Sequence, residues 1–128
     1  MRLLLDTHAL IWWVNDDPKL GQAASAAIRD PANIIHVSAV SAMEIATKYR
    51  LGKLDEAALL ARDFEREVEA EGFVETPVTW RHARLAGSLD IAHKDPFDRL
   101  LIAQALVDDL ILVSNESVFD GFGVSRLW

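Results

Sequence analysis

Three leucines run straight into a carboxylate near the start of the chain, Arg2-Leu3-Leu4-Leu5-Asp6, and Thr7-His8-Ala9-Leu10-Ile11 turns helical at once. A short apolar run closed by a polar break suits a strand buried on both faces, as in a parallel sheet covered by helices. In such a sheet Asp6 stands at the carboxyl end of its strand, the edge where open α/β sheets place their ligands. Asp is also a favoured N-cap, so Asp6 can equally serve to start the helix behind it. Position alone leaves both roles open.

The same alternation continues along the chain. Strands are expected at 34–37, at 73–75, at 110–113 and, last and smallest, at 124–127. Pro77 makes the second of these an edge strand at best. Helices are expected at 7–14, 21–30, 38–51, 56–71, 79–89 and 95–109, with Gly72 placed as a C′ residue. Strands alternating with helices of about ten residues give a three-layer α/β/α domain with a central parallel sheet, one domain over 1–128. Trp12 and Trp13 read as core or interface aromatics, one of them partly exposed. His36, inside an apolar strand, reads as a core or edge histidine before a metal ligand.

Composition narrows the function. There is no cysteine among the 128 residues, which excludes disulfides and thiolate metal sites and fits a reducing cytoplasm. No apolar run approaches the roughly 20 residues that span a bilayer, and the segment before Asp6 is too short for a secretory signal, so a cytoplasmic location is expected. The formal charge of −7 argues against a surface basic overall. Nucleic acid would have to be met by local clusters of Lys and Arg. The same sign predicts affinity for basic partners and a metal requirement if phosphate is the substrate.

Four carboxylates then stand out by direction. Asp95-Pro96 matches an N-cap with proline at N1, and Asp98 lies one turn in, on the stripe shared with Leu101, Ile102 and Ala105. It can complement the helix dipole, but a carboxylate on a packed stripe needs a partner. Glu44 can close a capping box with Ser41 or pair with Lys48 at i,i+4. If its helix begins at Ser38, it lies in the second turn and points over the sheet edge. Glu116 follows a strand by a few residues. In a parallel α/β sheet, strand ends and helix starts gather at one edge, so Asp6, Glu44, Asp98 and Glu116 are expected together. Crowded carboxylates repel and take up protons; a hard divalent cation, Mg²⁺ or Mn²⁺, relieves the conflict. The histidines at 8, 36, 82 and 93 show no zinc spacing, although His8 is close enough to assist Asp6.

Leu4-Leu5-Asp6-Thr7-His8-Ala9-Leu10-Ile11-Trp12, Ser41-Ala42-Met43-Glu44-Ile45, Asp95-Pro96-Phe97-Asp98-Arg99-Leu100-Leu101-Ile102-Ala103 and Leu112-Val113-Ser114-Asn115-Glu116 together resemble the PIN-domain family, and within it the VapC-type ribonuclease toxins of bacterial toxin–antitoxin pairs. The likeness runs through the whole chain in order. It implies a Mg²⁺- or Mn²⁺-dependent endoribonuclease with Asp6, Glu44 and Asp98 as the family's first three acids. The fourth acid is usually Asp after Thr or Ser; here it is Glu116, one methylene longer, after Ser114-Asn115. Thr7 and Ser114 fall where hydroxyls of the family fix carboxylates or water. The resemblance also implies a cognate antitoxin whose C-terminal segment covers the acidic site, and a homodimer, with a higher toxin–antitoxin assembly as an extension.

In-line attack at such a site leaves a 5′-phosphate and a 3′-hydroxyl. Lys48, Arg50, Lys53, Arg81, Arg84, Lys94 and Arg99 are candidates for gripping the RNA backbone, Arg99 first because it adjoins Asp98. Two other α/β readings fit less well. A receiver domain wants an acidic pair after the first strand and a late Lys, and a haloacid-dehalogenase-like phosphatase wants Asp-x-Asp where residue 8 is His. The competing reading of another class is a catalytically inactive PIN-fold module that binds RNA or protein.

Overall fold

Leu3, Leu4 and Leu5 are fully buried on β1 (Arg2–Leu5), the middle strand of a five-stranded sheet in a computed structural model that describes residues 1–128. The other strands are β2 (Ile34–Ser38), β3 (Val74–Thr76), β4 (Ile111–Val113) and β5 (Arg126–Leu127). Their order is β3-β2-β1-β4-β5, and every neighbouring pair is parallel. Leu4 lies opposite His36 on one side and Leu112 on the other. As Pro77 requires, β3 is an edge.

Seven helices make the crossovers that parallel pairing demands: α1 (Thr7–Val14), α2 (Gln22–Arg29), α3 (Ala39–Arg50), α4 (Ala58–Arg62), α5 (Phe64–Ala70), α6 (Trp80–Ser88) and α7 (Pro96–Asp108). The period-2 alternation of β1 separates two cores. Leu3 and Leu5 pack with Leu10, Ile11, Ile28, Ile45 and Leu60, while Leu4 packs with Leu101, Ile102, Ala105 and Phe119. The domain is therefore the expected α/β/α sandwich. No helix is long and apolar enough to cross a membrane. Of the adjacent indoles, Trp12 is buried and Trp13 partly exposed, its Nε1 donating to Glu71 at 3.0 Å. His36 sits partly buried with Nδ1 3.0 Å from Thr76 Oγ1.

One element departs from expectation. The helix expected over 56–71 is a 3-10 turn (Asp55–Ala57) followed by α4 and α5, broken at Asp63 with φ −152° and ψ 75°. Asp competes with the helical backbone for hydrogen bonds and is a weak helix former, so it is a natural place for the break. Gly72 closes α5 at φ +73°, in the left-handed conformation a C′ glycine adopts.

One polar group that seats α7 is Gln104, which is fully buried. Its Oε1 accepts from Ser38 Oγ at 2.6 Å, and its Nε2 donates to Thr76 O at 3.4 Å and Pro77 O at 3.2 Å. This amide ties α7 to the carboxyl ends of β2 and β3. Gln104→Leu fills the space but strands the Ser38 hydroxyl and two carbonyls. Urea unfolding is expected to show a loss of about 2–3 kcal/mol, since buried polar groups left without partners cost about 1–3 kcal/mol.

Candidate active site

Asp6 lies at the junction of β1 and α1. It ends β1, with its own N–H donating to Val113 O at 3.1 Å, and it caps α1 by accepting the Ala9 N–H at 2.8 Å. The residue is 5% exposed. Burial is the main influence on the carboxyl and pushes its pKa up to about 6. Hydrogen bonds from Ser114 and the Ala9 N–H and the charge of His8 oppose that rise, and the charge of Glu116 adds to it. Ser114 is fully buried and also accepts the Glu116 N–H at 3.0 Å, so one hydroxyl links the first and last acids.

Glu44 reaches the same edge from α3, whose N-cap is Ser38 accepting the Val40 N–H at 2.9 Å. The helix start at Ser38 puts Glu44 in the second turn, buried at 5% exposure. Thr7 Oγ1 donates to Glu44 Oε1 at 2.5 Å and lies 3.1 Å from Ser41 Oγ. The Lys48 ammonium hydrogen-bonds Glu44 Oε2. Burial works against the Lys48 charge, but the hydrogen bond and charge of Glu44, with the charges of Asp95 and Asp98 beyond, leave its pKa raised.

Asp98 stands in the first turn of α7. Asp95 caps that helix by accepting the Phe97 N–H at 2.9 Å and the Asp98 N–H at 3.2 Å. Asp98 Oδ2 lies 2.7 Å from His93 Nε2, and the His93 ring packs against Phe119 and Phe122. Burial raises the Asp98 pKa first; the charges of Asp95 and Glu116 add to it, and the His93 contact opposes it.

All four acids thus sit at the carboxyl edge of the sheet, and Glu116 is near enough to act on both Asp6 and Asp98. As they lie, no three Asp, Glu or His side chains stand close enough together to hold one ion. Glu44 is drawn toward Lys48 and Asp98 toward His93. Sequence reasoning missed His93: it reaches Asp98 across a loop, and no periodic spacing marks such a pair.

Arg99 is turned onto the backbone. All five of its N–H donors are directed at backbone carbonyls: Nε to Ala86 at 2.9 Å, Nη1 to Ile91 at 3.4 Å and His93 at 2.9 Å, and Nη2 to Gly87 at 3.5 Å and Leu89 at 2.7 Å. It fastens the chain between α6 and α7. Those carbonyls carry no sequence signature, so nothing in the residue string marks them as its partners.

The model of the PIN domain family matches residues 3–124. The chain belongs to the PIN-domain family. No curated protein matches it. Among solved structures, this PIN domain is similar to a chain of VapBC2 from Rickettsia felis bound to a DNA fragment from their promoter. The TM-score is 0.68 at 14% identity over 99% of this chain and 98% of that one. DNA-bound VapBC from Salmonella typhimurium gives 0.68 and 14% over 99% and 97%. FitAcB from Neisseria gonorrhoeae gives 0.63 and 18% over 100% and 97%. At these identities the likeness establishes the fold that the PIN domain shares with them.

Proposed function

We propose that this PIN domain is a metal-dependent endoribonuclease that hydrolyses RNA phosphodiester bonds as the toxin of a toxin–antitoxin pair. The observation that carries this reading is Asp6. It is a buried acid whose pKa is lifted to about 6, with Glu116 and Asp98 sharing its edge. A protein that keeps carboxylates in so unfavourable a setting is relieved by a cation, and perturbed acids of this kind cluster at functional sites.

The donor set fits Mg²⁺ or Mn²⁺, since every candidate ligand is a carboxylate oxygen and the neighbouring groups are hydroxyls. Asp6, Glu44, Asp98 and Glu116 are the residues that would hold the ion. Bound there, it would supply Lewis-acid polarisation of a phosphate and acidify a water at neutral pH. The chain's own part is orientation. Ser114 fixes Asp6 and Glu116 relative to each other, Thr7 aims Glu44, and the α7 cap at Asp95 sets Asp98 in place.

The VapBC relatives are complexes, and the net charge of −7 suits a basic antitoxin segment laid over the acidic edge. The PIN domain is proposed to pair with such an antitoxin, to dimerise, and to act in the cytoplasm. The test is incubation of protein free of antitoxin with total cellular RNA and Mn²⁺, followed by mapping of new ends. Cuts bearing 5′-phosphates, abolished by EDTA and restored by Mn²⁺, are expected. RNA left intact with Mg²⁺ and with Mn²⁺, while the protein still retains RNA on a filter, would move the assignment to an inactive binding module.

A further inference from the structure

We infer that Lys48 is a positioning residue that serves Glu44 as a resident counterion and gives the carboxylate up to an incoming divalent ion. The inference rests on the metal-dependent reading above and adds an internal competitor to it. Glu44 is 5% exposed, and a buried carboxylate without a partner is too costly to persist. Both of its oxygens are engaged in the protein alone, Oε1 by Thr7 and Oε2 by the Lys48 ammonium. Lys48 does not reach out to solvent from α3. Its side chain is 33% exposed, and Nζ lies 5.8 Å from the Phe97 ring centroid, between Glu44 and the start of α7. The positive charge therefore stands inside the acid edge. Arg50 and Lys53, on and just beyond the same helix, are exposed and make no ion pair.

The Lys48 ammonium holds a positive charge against Glu44 Oε2, and a divalent ion approaching that oxygen would have to displace it or bear its repulsion. Thr7 can stay on Oε1 while Oε2 is transferred, so the hydroxyl keeps Glu44 aimed at the edge through the exchange. Lys48 then has two effects of opposite sign. It stabilises the metal-free protein by balancing a buried charge, and it weakens divalent binding by setting a like charge against the incoming ion.

The experiment is Mn²⁺ titration of the full chain, free of antitoxin and without RNA, followed by calorimetry and by loss of the free Mn²⁺ electron-spin signal. Lys48→Met is expected to bind Mn²⁺ about tenfold tighter. Lys48→Arg should stay near wild type because the charge is kept, and Arg50→Met should change affinity by no more than about twofold. The gain should survive in 1 M salt, where screening acts within about 3 Å and removes distant field effects. Without metal, Lys48→Met should melt below wild type, and saturating Mn²⁺ should close the gap. If Lys48→Met fails to fold, Lys48→Gln, which keeps a donor without the charge, gives the same comparison. Equal or weaker Mn²⁺ binding by the uncharged variants, or a gain lost in 1 M salt, overturns the inference while leaving the nuclease reading intact. No Mn²⁺ binding by wild type or variants overturns the metal reading and this inference together.

Discussion

Replacing Asp6 with Asn is expected to reduce RNA cleavage by about 10³-fold or more while making the metal-free protein more stable at neutral pH. The two effects share one cause. The carboxyl is buried at the carboxyl end of β1, and its pKa stands at about 6 against an ordinary 3.8. With the folded value above the unfolded one, the native state holds the proton more tightly between these pH values. The stability this contributes is complete below about pH 4 and is lost as pH rises through about 6. A shift of that size corresponds to a penalty on the order of 3 kcal/mol on the ionised, metal-free protein at pH 7. Asn keeps the N-cap, since it ranks with Asp there, and carries no charge to desolvate. Melts in EDTA should place Asp6→Asn about 3–10 °C above wild type at pH 7–8, with the difference closing toward pH 4. Saturating Mn²⁺ should stabilise wild type and leave the variant nearly unmoved. A variant no more stable than wild type at pH 8, or one that still cuts RNA in an EDTA-sensitive way, would remove Asp6 from the role proposed.

The legible parts of this protein were those where one periodicity or one cap decides the structure. Leu3-Leu4-Leu5 reads as a two-sided buried strand because nothing polar interrupts it, and Asp6 follows from the break. Ser38 as a cap places Glu44 in a second turn, and Asp95-Pro96 fixes where α7 starts, hence where Asp98 points. Direction does the rest, since parallel pairing sends all these ends to one edge. What stayed hidden depends on contacts between segments with no common period. Gln104 sits among apolar residues of α7 and looks like one polar position on a buried helix. Its partners, Ser38 and the carbonyls of Thr76 and Pro77, are defined by the crossover from β3. His93 meets Asp98 through loop geometry. Asp63 breaks a helix whose apolar spacing, Ala57, Leu60, Phe64 and Val68, stays regular across the break. Lys48 on Glu44 was legible as an i,i+4 pair, whereas the contact of His93 with Asp98 was not.

Removing the Arg99 side chain should produce a larger stability loss than any other single change at the acid edge. The guanidinium joins the end of α6 and residues 89–93 to the first turn of α7 through five carbonyls. Arg99→Ala deletes every one of those bonds and leaves partly buried carbonyls without a donor. The expected cost is about 2–4 kcal/mol, read as a melting temperature lower by about 8–15 °C. Activity should fall as well, chiefly in kcat, because the loop it fastens carries His93 against Asp98 and leads into the Asp95 cap. Lys in its place restores the charge but offers three donors from a single point, where a planar fork had reached five carbonyls. Arg99→Lys is therefore expected to recover little stability, and limited proteolysis should cut both variants within residues 89–95 where wild type resists. A phosphate contact predicts a different pattern: Arg99→Lys near wild type, unchanged melting for both variants, and a salt-dependent rise in KM alone. That pattern would return Arg99 to the RNA, where its place beside Asp98 in the sequence first put it, and would mean that the five carbonyl contacts do not hold the loop in solution.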